Sequence, residues 1–282
     1  MGRTIFLFLL ISVYVRAQIE PAARQIATGN STLARADDVF AIFVNPAGLA
    51  QLSWSELGIY YSPAPFGLKE LSNGYFAVNY NFDFLSSAIG AKIYGYDLYR
   101  ETSLYLALAK RFFHEFFVGI TLSYKSVSIE NYGNAGATVL DAGILYYLTR
   151  NLSFAFVAKN LFRGSYSGEE NEIPSSVSFG VCYFPLDNAS ANFAVTQELD
   201  ASPNFKAGIE YGIFRYIDLR LGIETEPKVY SAGLGVKYKF FEIDYAALVH
   251  QTLPLSHQIE IIVAFENIEQ RREKIERFLS IK

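Results

Sequence analysis

Ionisable side chains crowd the last third of the chain at alternating positions: Lys206 and Glu210; Asp218, Arg220 and Glu224; Lys237 and Lys239; Glu242 and Asp244; and Glu260. Side chains two residues apart in an extended chain lie on one face, so these residues form ladders of mixed sign. Such ladders can pair across neighbouring strands or line an ion path. Mixed sign on successive segments favours pairing, which stiffens a wall and anchors whatever sits against it. Hydrolytic chemistry would need a nucleophile, a base and an orienting group in mutual reach. Serines are abundant, but no Gly-x-Ser-x-Gly elbow occurs, and Asp244 and His250 lie ~20 Å apart at the rise of a strand. An enzyme is therefore not expected. His114, His250 and His257 are dispersed and lack nearby cysteines or a clear carboxylate set, so neither a metal site nor a cofactor is expected.

The segments that carry these charges alternate with period two. Phe205, Ala207, Ile209 and Tyr211 oppose Lys206, Gly208, Glu210 and Gly212; Ile217, Leu219, Leu221 and Ile223 oppose Asp218, Arg220, Gly222 and Glu224. From Ser55 to Phe265 about fourteen such segments follow one another, with cores at 55–61, 74–80, 83–95, 101–110, 116–127, 138–148, 152–159, 175–184, 190–198, 204–212, 216–224, 229–238, 240–249 and 257–265. Sandwich strands are usually about five or six residues long, whereas a tilted membrane-crossing strand needs about 9 to 11. A charge facing lipid at the midplane costs roughly 2–4 kcal/mol, so the charged faces must point into a lumen. Connections near 239, 214, 187, 150, 113 and 82 are tight, and those near 253, 227, 201, 167, 132, 98 and 67 are mostly longer, the pattern of an even-stranded barrel with both termini in the periplasm.

Composition agrees with an all-β, transmembrane antiparallel barrel. The chain is 51% hydrophobic, yet beyond residue 17 it has no run of eighteen apolar residues, so its apolarity is not stored in spanning helices. It has 24 Phe and 20 Tyr, many at expected strand ends, such as Tyr94, Tyr96, Tyr146, Tyr147, Tyr183, Phe184, Tyr211 and Tyr238. Amphipathic rings there suit a membrane interface, with outer-membrane lipid as the surrounding partner. Cys182 is the only cysteine and excludes an internal disulfide. Net acidity argues against a nucleic-acid partner.

Residues 1–17 read as a signal peptide, with Arg3, an apolar run from Ile5 to Val15 and a Val15-Arg16-Ala17 cleavage site. Residues 18–53 lack period-two patterning. Asp37 and Asp38 precede an apolar patch, and then Asn45-Pro46-Ala47-Gly48 follows. Two short helical turns are expected, Asp37 or Asp38 capping the first and Asn45 capping the second, with Pro46 at its first position. Small residues on the luminal faces, including Gly58, Gly90, Gly119, Gly143, Gly180, Gly208 and Gly222, leave room for a plug or ligand. Gly90 and Gly95 in the third strand read as relief of twist, although they could also permit a gap in the wall. Residues 266–282 place Ile268, Ile275, Phe278 and Leu279 on one helical stripe. A short periplasmic helix, solvated rather than docked, is expected.

The stretch from Phe40 to Leu49 resembles the N-terminal hatch of the FadL-type outer-membrane transporter superfamily, nearest its PorV/PorQ branch, whose members carry an Asn-Pro-Ala segment ahead of a fourteen-strand barrel. The resemblance implies a hatch at 18–53 that occludes a barrel at 54–265, with Asn45, Pro46 and Ala47 fixing it. It also implies passive passage of small hydrophobic compounds across the cell outer membrane. The alternative that it implies is a non-enzymatic component of type IX protein secretion, binding exported proteins at its loops or rim.

Overall fold

The computed structural model describes residues 22–82, 84–166, 173–199, 201–268 and 271–279; the expected signal peptide lies outside them. Fourteen strands form one closed antiparallel barrel: β1 (Glu56–Ser62), β2 (Asn73–Phe82), β3 (Leu85–Tyr96), β4 (Tyr99–Arg111), β5 (Phe116–Ile129), β6 (Gly133–Thr149), β7 (Leu152–Lys159), β8 (Ser176–Leu186), β9 (Ala189–Glu198), β10 (Asn204–Phe214), β11 (Ile217–Thr225), β12 (Lys228–Tyr238), β13 (Phe241–His250) and β14 (Ser256–Ala264). Each strand pairs with its sequence neighbours, and β1 closes on β14. Every expected segment is a strand. The largest departure is β6, which begins at Gly133 because its hairpin with β5 continues in register to Ile129.

The outer face is apolar along its whole girth. Around the β1–β14–β13 seam, Ile59, Ile261 and Ile243 sit opposite one another and are all exposed. The inner faces of the same strands carry Tyr60, Glu260 and Asp244, all buried. A sheet with an apolar exterior and a charged interior is inside out for water and right way round for lipid. This is a membrane-spanning barrel, and the side chains that crowd its axis form its core. Three expected interface rings lie inside instead: Tyr94, Tyr147 and Phe184 are buried, because each falls on the luminal phase of its strand. Tyr96, Tyr146, Tyr183, Tyr211 and Tyr238 do face outward.

Four two-residue connections, 150–151, 187–188, 215–216 and 239–240, lie at the end of the barrel where β1 begins and β14 finishes, whereas 97–98 and 226–227, equally short, lie at the other end. The three shifts of register, at 147/149, 183/186 and 212/214, lie at the first of these ends, where bulges tighten a rim. The opposite rim carries the longest connection, residues 160–175. At Gly90 and Gly95 the third strand stays paired on both sides from Ser86 to Tyr94 and beyond, so no gap opens in the wall there.

Inside the barrel lies the segment from Ala22 to Trp54, almost wholly buried. It holds helices α1 (Ala23–Ala27) and α2 (Ala41–Val44) and 3-10 turns at Thr32–Ala34 and Pro46–Gln51. Four short turns replace the two expected, because the alanine-rich start at 22–27 also folds back within the lumen. The tail departs from expectation more sharply. Helix α3 (Arg271–Leu279) is docked across the end where β14 finishes, burying Arg271, Ile275 and Leu279. These recur every four residues, so the buried stripe includes an arginine. Arg111 donates to the carbonyls of Phe278 and Leu279 at 2.7 and 2.9 Å, and its guanidinium stacks 4.5 Å from the Phe278 ring.

Ile261→Arg places a charge on the lipid face near mid-strand. It is expected to lower unfolding free energy in lipid vesicles by roughly 2–4 kcal/mol, measured by denaturant titration, while Ile261→Leu stays close to the parent.

Candidate functional site

Asn45 is the pivot of the luminal segment. Its backbone is extended, as a residue before proline prefers, and its side chain caps the following turn by accepting from the Ala47 N–H at 3.1 Å. The same side chain donates to the Leu33 carbonyl at 3.0 Å and to the Ile144 carbonyl of β6 at 3.2 Å. One residue therefore ties the turn to its own segment and to the wall. The contact needs two wall glycines. A methyl group on Gly143 would fall on the Asn45 carboxamide oxygen, and one on Gly119 would fall on the backbone of Pro46 and Ala47. Gly48 is likewise pressed against the Ala36 carbonyl. Gln51 donates to the carbonyls of Arg35 and Ala36 and accepts from the Tyr147 hydroxyl at 2.5 Å.

Asp37 and Asp38 have distinct roles. Asp38 accepts from the Phe40 N–H at 2.9 Å, but Phe40 rather than an aspartate stands at the start of α2, and no side chain caps that helix. Asp37 is an ion-pair centre: Arg24 lies 2.7 Å from one of its oxygens and Arg35 3.1 Å from the other. Burial alone would raise the Asp37 carboxyl, but Arg24, Arg35 and Arg271 around it hold it well below the usual carboxylate range.

Wall and luminal segment meet at Glu210. Its carboxylate takes Arg24 at 3.2 Å, Arg35 at 2.6 Å and Arg220 at 2.5 Å, two from the luminal segment and one from β11. Arg220 also pairs with Asp244 and lies 3.5 Å from Glu242 and 3.6 Å from Asp218. Lys237 reaches Asp218 at 2.6 Å and Glu242 at 3.6 Å. At the end where β14 finishes, Arg271 of α3 spans Glu56 at 2.6 Å and Glu242 at 3.0 Å, and donates to the Asp37 carbonyl at 2.8 Å. Trp54 donates to Glu56 at 2.6 Å and lies under the Arg271 guanidinium.

The expected charge ladder is thus largely one connected network, with three exceptions. Lys239 is not luminal: it sits exposed in the β12–β13 turn at a positive φ of 52°, its ammonium over the Tyr238 ring. Lys206 and Glu224 form a separate pair at 3.9 Å, where Glu224 also accepts from Asn30 and Asn204. Glu260 is luminal and buried, yet it meets no cation and no hydrogen-bond donor among the described residues. Conversely, Arg24, Arg35, Glu56 and Arg271 complete the network without having been expected there. The available signal was that Arg24 and Arg35 are the only basic residues between positions 18 and 53.

On the far-rim side of the luminal segment lies a cavity of about 120 Å³, with Gln25, Asn30, Leu33 and Val44 on one side and Lys159, Ser178, Thr196 and Lys206 on the other. Its lining is predominantly polar.

Several solved structures share this architecture. A deletion mutant of the TodX monoaromatic hydrocarbon channel superposes with a TM-score of 0.64 at 12% identity, over 87% of this chain and 98% of that one. The P. putida toluene transporter TodX gives 0.59 at 13% identity, over 88% and 98%. A Pseudomonas aeruginosa FadL homologue gives 0.56 at 12% identity, over 86% and 97%. The barrel shares its fold with these channels. No protein-family model and no curated protein sequence matches the chain, so the likeness is one of architecture.

Arg220→Leu removes the cation from between buried Glu210, Glu242 and Asp244. It is expected to cost about 3–5 kcal/mol, the usual penalty of stranding buried charge, seen as a lowered denaturant midpoint in vesicles. Lys274→Ala, at a partly exposed pair with Glu266, is expected to stay within about 1 kcal/mol of the parent.

Proposed function

We propose that this protein is an outer-membrane passage for small hydrophobic compounds, closed in the present state by its own N-terminal segment. The observation that carries the reading is the seating of Asn45, Pro46 and Ala47 on Gly119 and Gly143 inside a closed fourteen-strand barrel. The structural neighbours named as a hydrocarbon channel and a toluene transporter support the class of compound. The signal peptide read at 1–17 supports export, and the gathering of four two-residue turns at the end where β1 begins and β14 finishes supports a periplasmic position for that end. In this reading Asn45, Pro46, Ala47 and Gly48 form the closure. Asp37 and Asp38 set its charge, and Glu210 with Arg220 fastens it to the wall. Passage requires the closure to shift, since the remaining cavity is small and polar.

That polarity, together with the density of ion pairs through the lumen, favours a second reading: a PorV-like, non-transporting component of protein secretion that holds exported proteins at its loops or rim. The two differ in what the barrel retains. Native mass spectrometry of protein extracted gently from its own membrane is expected to show a bound hydrophobic compound under the first reading and an exported protein under the second.

Gly119→Leu with Gly143→Leu fills the seat without touching a charged residue. The double variant is expected to show conductance steps in planar bilayers where the parent shows none. Silence from a variant whose strand content and heat-modifiable migration match the parent would remove the closure from the mechanism.

A further inference from the structure

Where the barrel closes, three neighbouring strands carry a set of oxygen donors on one buried inner face. Glu260 of β14 stands directly opposite Asp244 of β13 on one side and Tyr60 of β1 on the other. Gln258, two residues before Glu260, lies on the same inner face. All four are buried, Tyr60 to 1% exposure and the others to 0%. Among the described residues no protein group meets either carboxylate oxygen of Glu260, either amide atom of Gln258, the Tyr60 hydroxyl or the second oxygen of Asp244.

Two carboxylates directly opposed across an antiparallel pair repel, and a buried charge persists only when it is paired or coordinates a metal. The neighbouring network has no cation to lend. Arg24, Arg35, Arg220, Lys237 and Arg271 are each already engaged by two or more carboxylates. Arg220 donates to one oxygen of Asp244 and leaves the other without a hydrogen-bond partner.

We propose that Tyr60, Asp244, Gln258 and Glu260 form a binding site for a hard cation of the calcium class at the closing seam of the barrel. The donors are two carboxylates, an amide oxygen and a phenol oxygen, with no imidazole or thiolate, which is the chemistry of oxygen-seeking cations. No trio of His, Cys, Asp and Glu suited to a metal occurs among the described residues, so the site depends on the neutral oxygens as much as on the acids. Calcium accepts irregular sets of mixed oxygen donors, whereas magnesium demands a near-ideal octahedron and keeps its waters. A cation here would offset the charge of Glu260 and join β13, β14 and β1 across the seam where the first and last strands meet. The site does not depend on what the barrel passes.

The test uses the full barrel folded in a non-ionic detergent, stripped with EDTA, dialysed and titrated with calcium chloride. Melting temperature and bound calcium per chain are read at constant ionic strength. The parent is expected to bind one calcium and to melt at higher temperature. Glu260→Gln should weaken the half-maximal calcium concentration by about tenfold or more, and without calcium it should melt no lower than the stripped parent. Tyr60→Phe, which keeps the charge and the packing, should weaken binding by a smaller factor and serves if the first variant fails to fold. A calcium-dependent shift that survives in both variants would place the ion elsewhere and overturn the assignment. So would a parent that ignores calcium but gains stability on mild acidification, with the gain lost in Glu260→Gln; the two carboxyls would then share a proton.

Discussion

Everything in this molecule follows from the rule that lipid leaves no room for charge on the outside of the barrel. The strands carry Glu210, Asp218, Arg220, Lys237, Glu242 and Asp244 on one phase and Leu, Ile and aromatic side chains on the other, and only one register satisfies a membrane. Once the charges are inside they must be matched, because a closed barrel this narrow gives them little water. The wall alone does not balance them. Arg24, Arg35 and Arg271 come from outside the strands, and each lands on a wall carboxylate. Plug and wall are therefore electrostatic halves of one object.

Packing makes the same point by a different route. A luminal segment carrying its own short helices fits only where the wall is stripped of side chains, and wall glycines lie beneath its backbone at successive places. Thr28 and Gly29 run over Gly208 and Gly222, Leu33 over Gly180, and Asn45 to Ala47 over Gly143 and Gly119. These small residues give the wall no core of its own in the middle of the lumen. The plug supplies that core through Phe40, Ile42, Leu49 and Trp54.

Much of this was legible in the sequence, and what was legible was local. Alternation over ten residues identifies a strand from the strand itself, so all fourteen segments were readable, and Asn45-Pro46 announces its own turn. Distant pairing left no such trace. Arg24 and Arg35 meet Glu210 across 186 and 175 residues, and no periodicity links them. Arg271 looked like one more solvated charge on a polar helix, because its burial depends on Glu56 and Glu242 waiting beneath it. Lys239 keeps the phase of Lys237 on paper, but the chain has already turned by then, and a two-residue hairpin resets which face a side chain takes. Tyr94, Tyr147 and Phe184 were assigned by position along the strand, when their phase decided the matter.

Arg271 has one further consequence. It follows the last strand, yet it holds the Asp37 carbonyl of the segment that precedes the first, and it holds carboxylates of β1 and β13 at the same time. The luminal segment is thus fastened by a residue that follows all fourteen strands, and the same residue bridges β1 and β13. Without Arg271, Glu56 would lose its arginine and the Asp37 carbonyl its donor. One side chain beyond the barrel thus serves as a common fastener for the wall and for what the wall encloses.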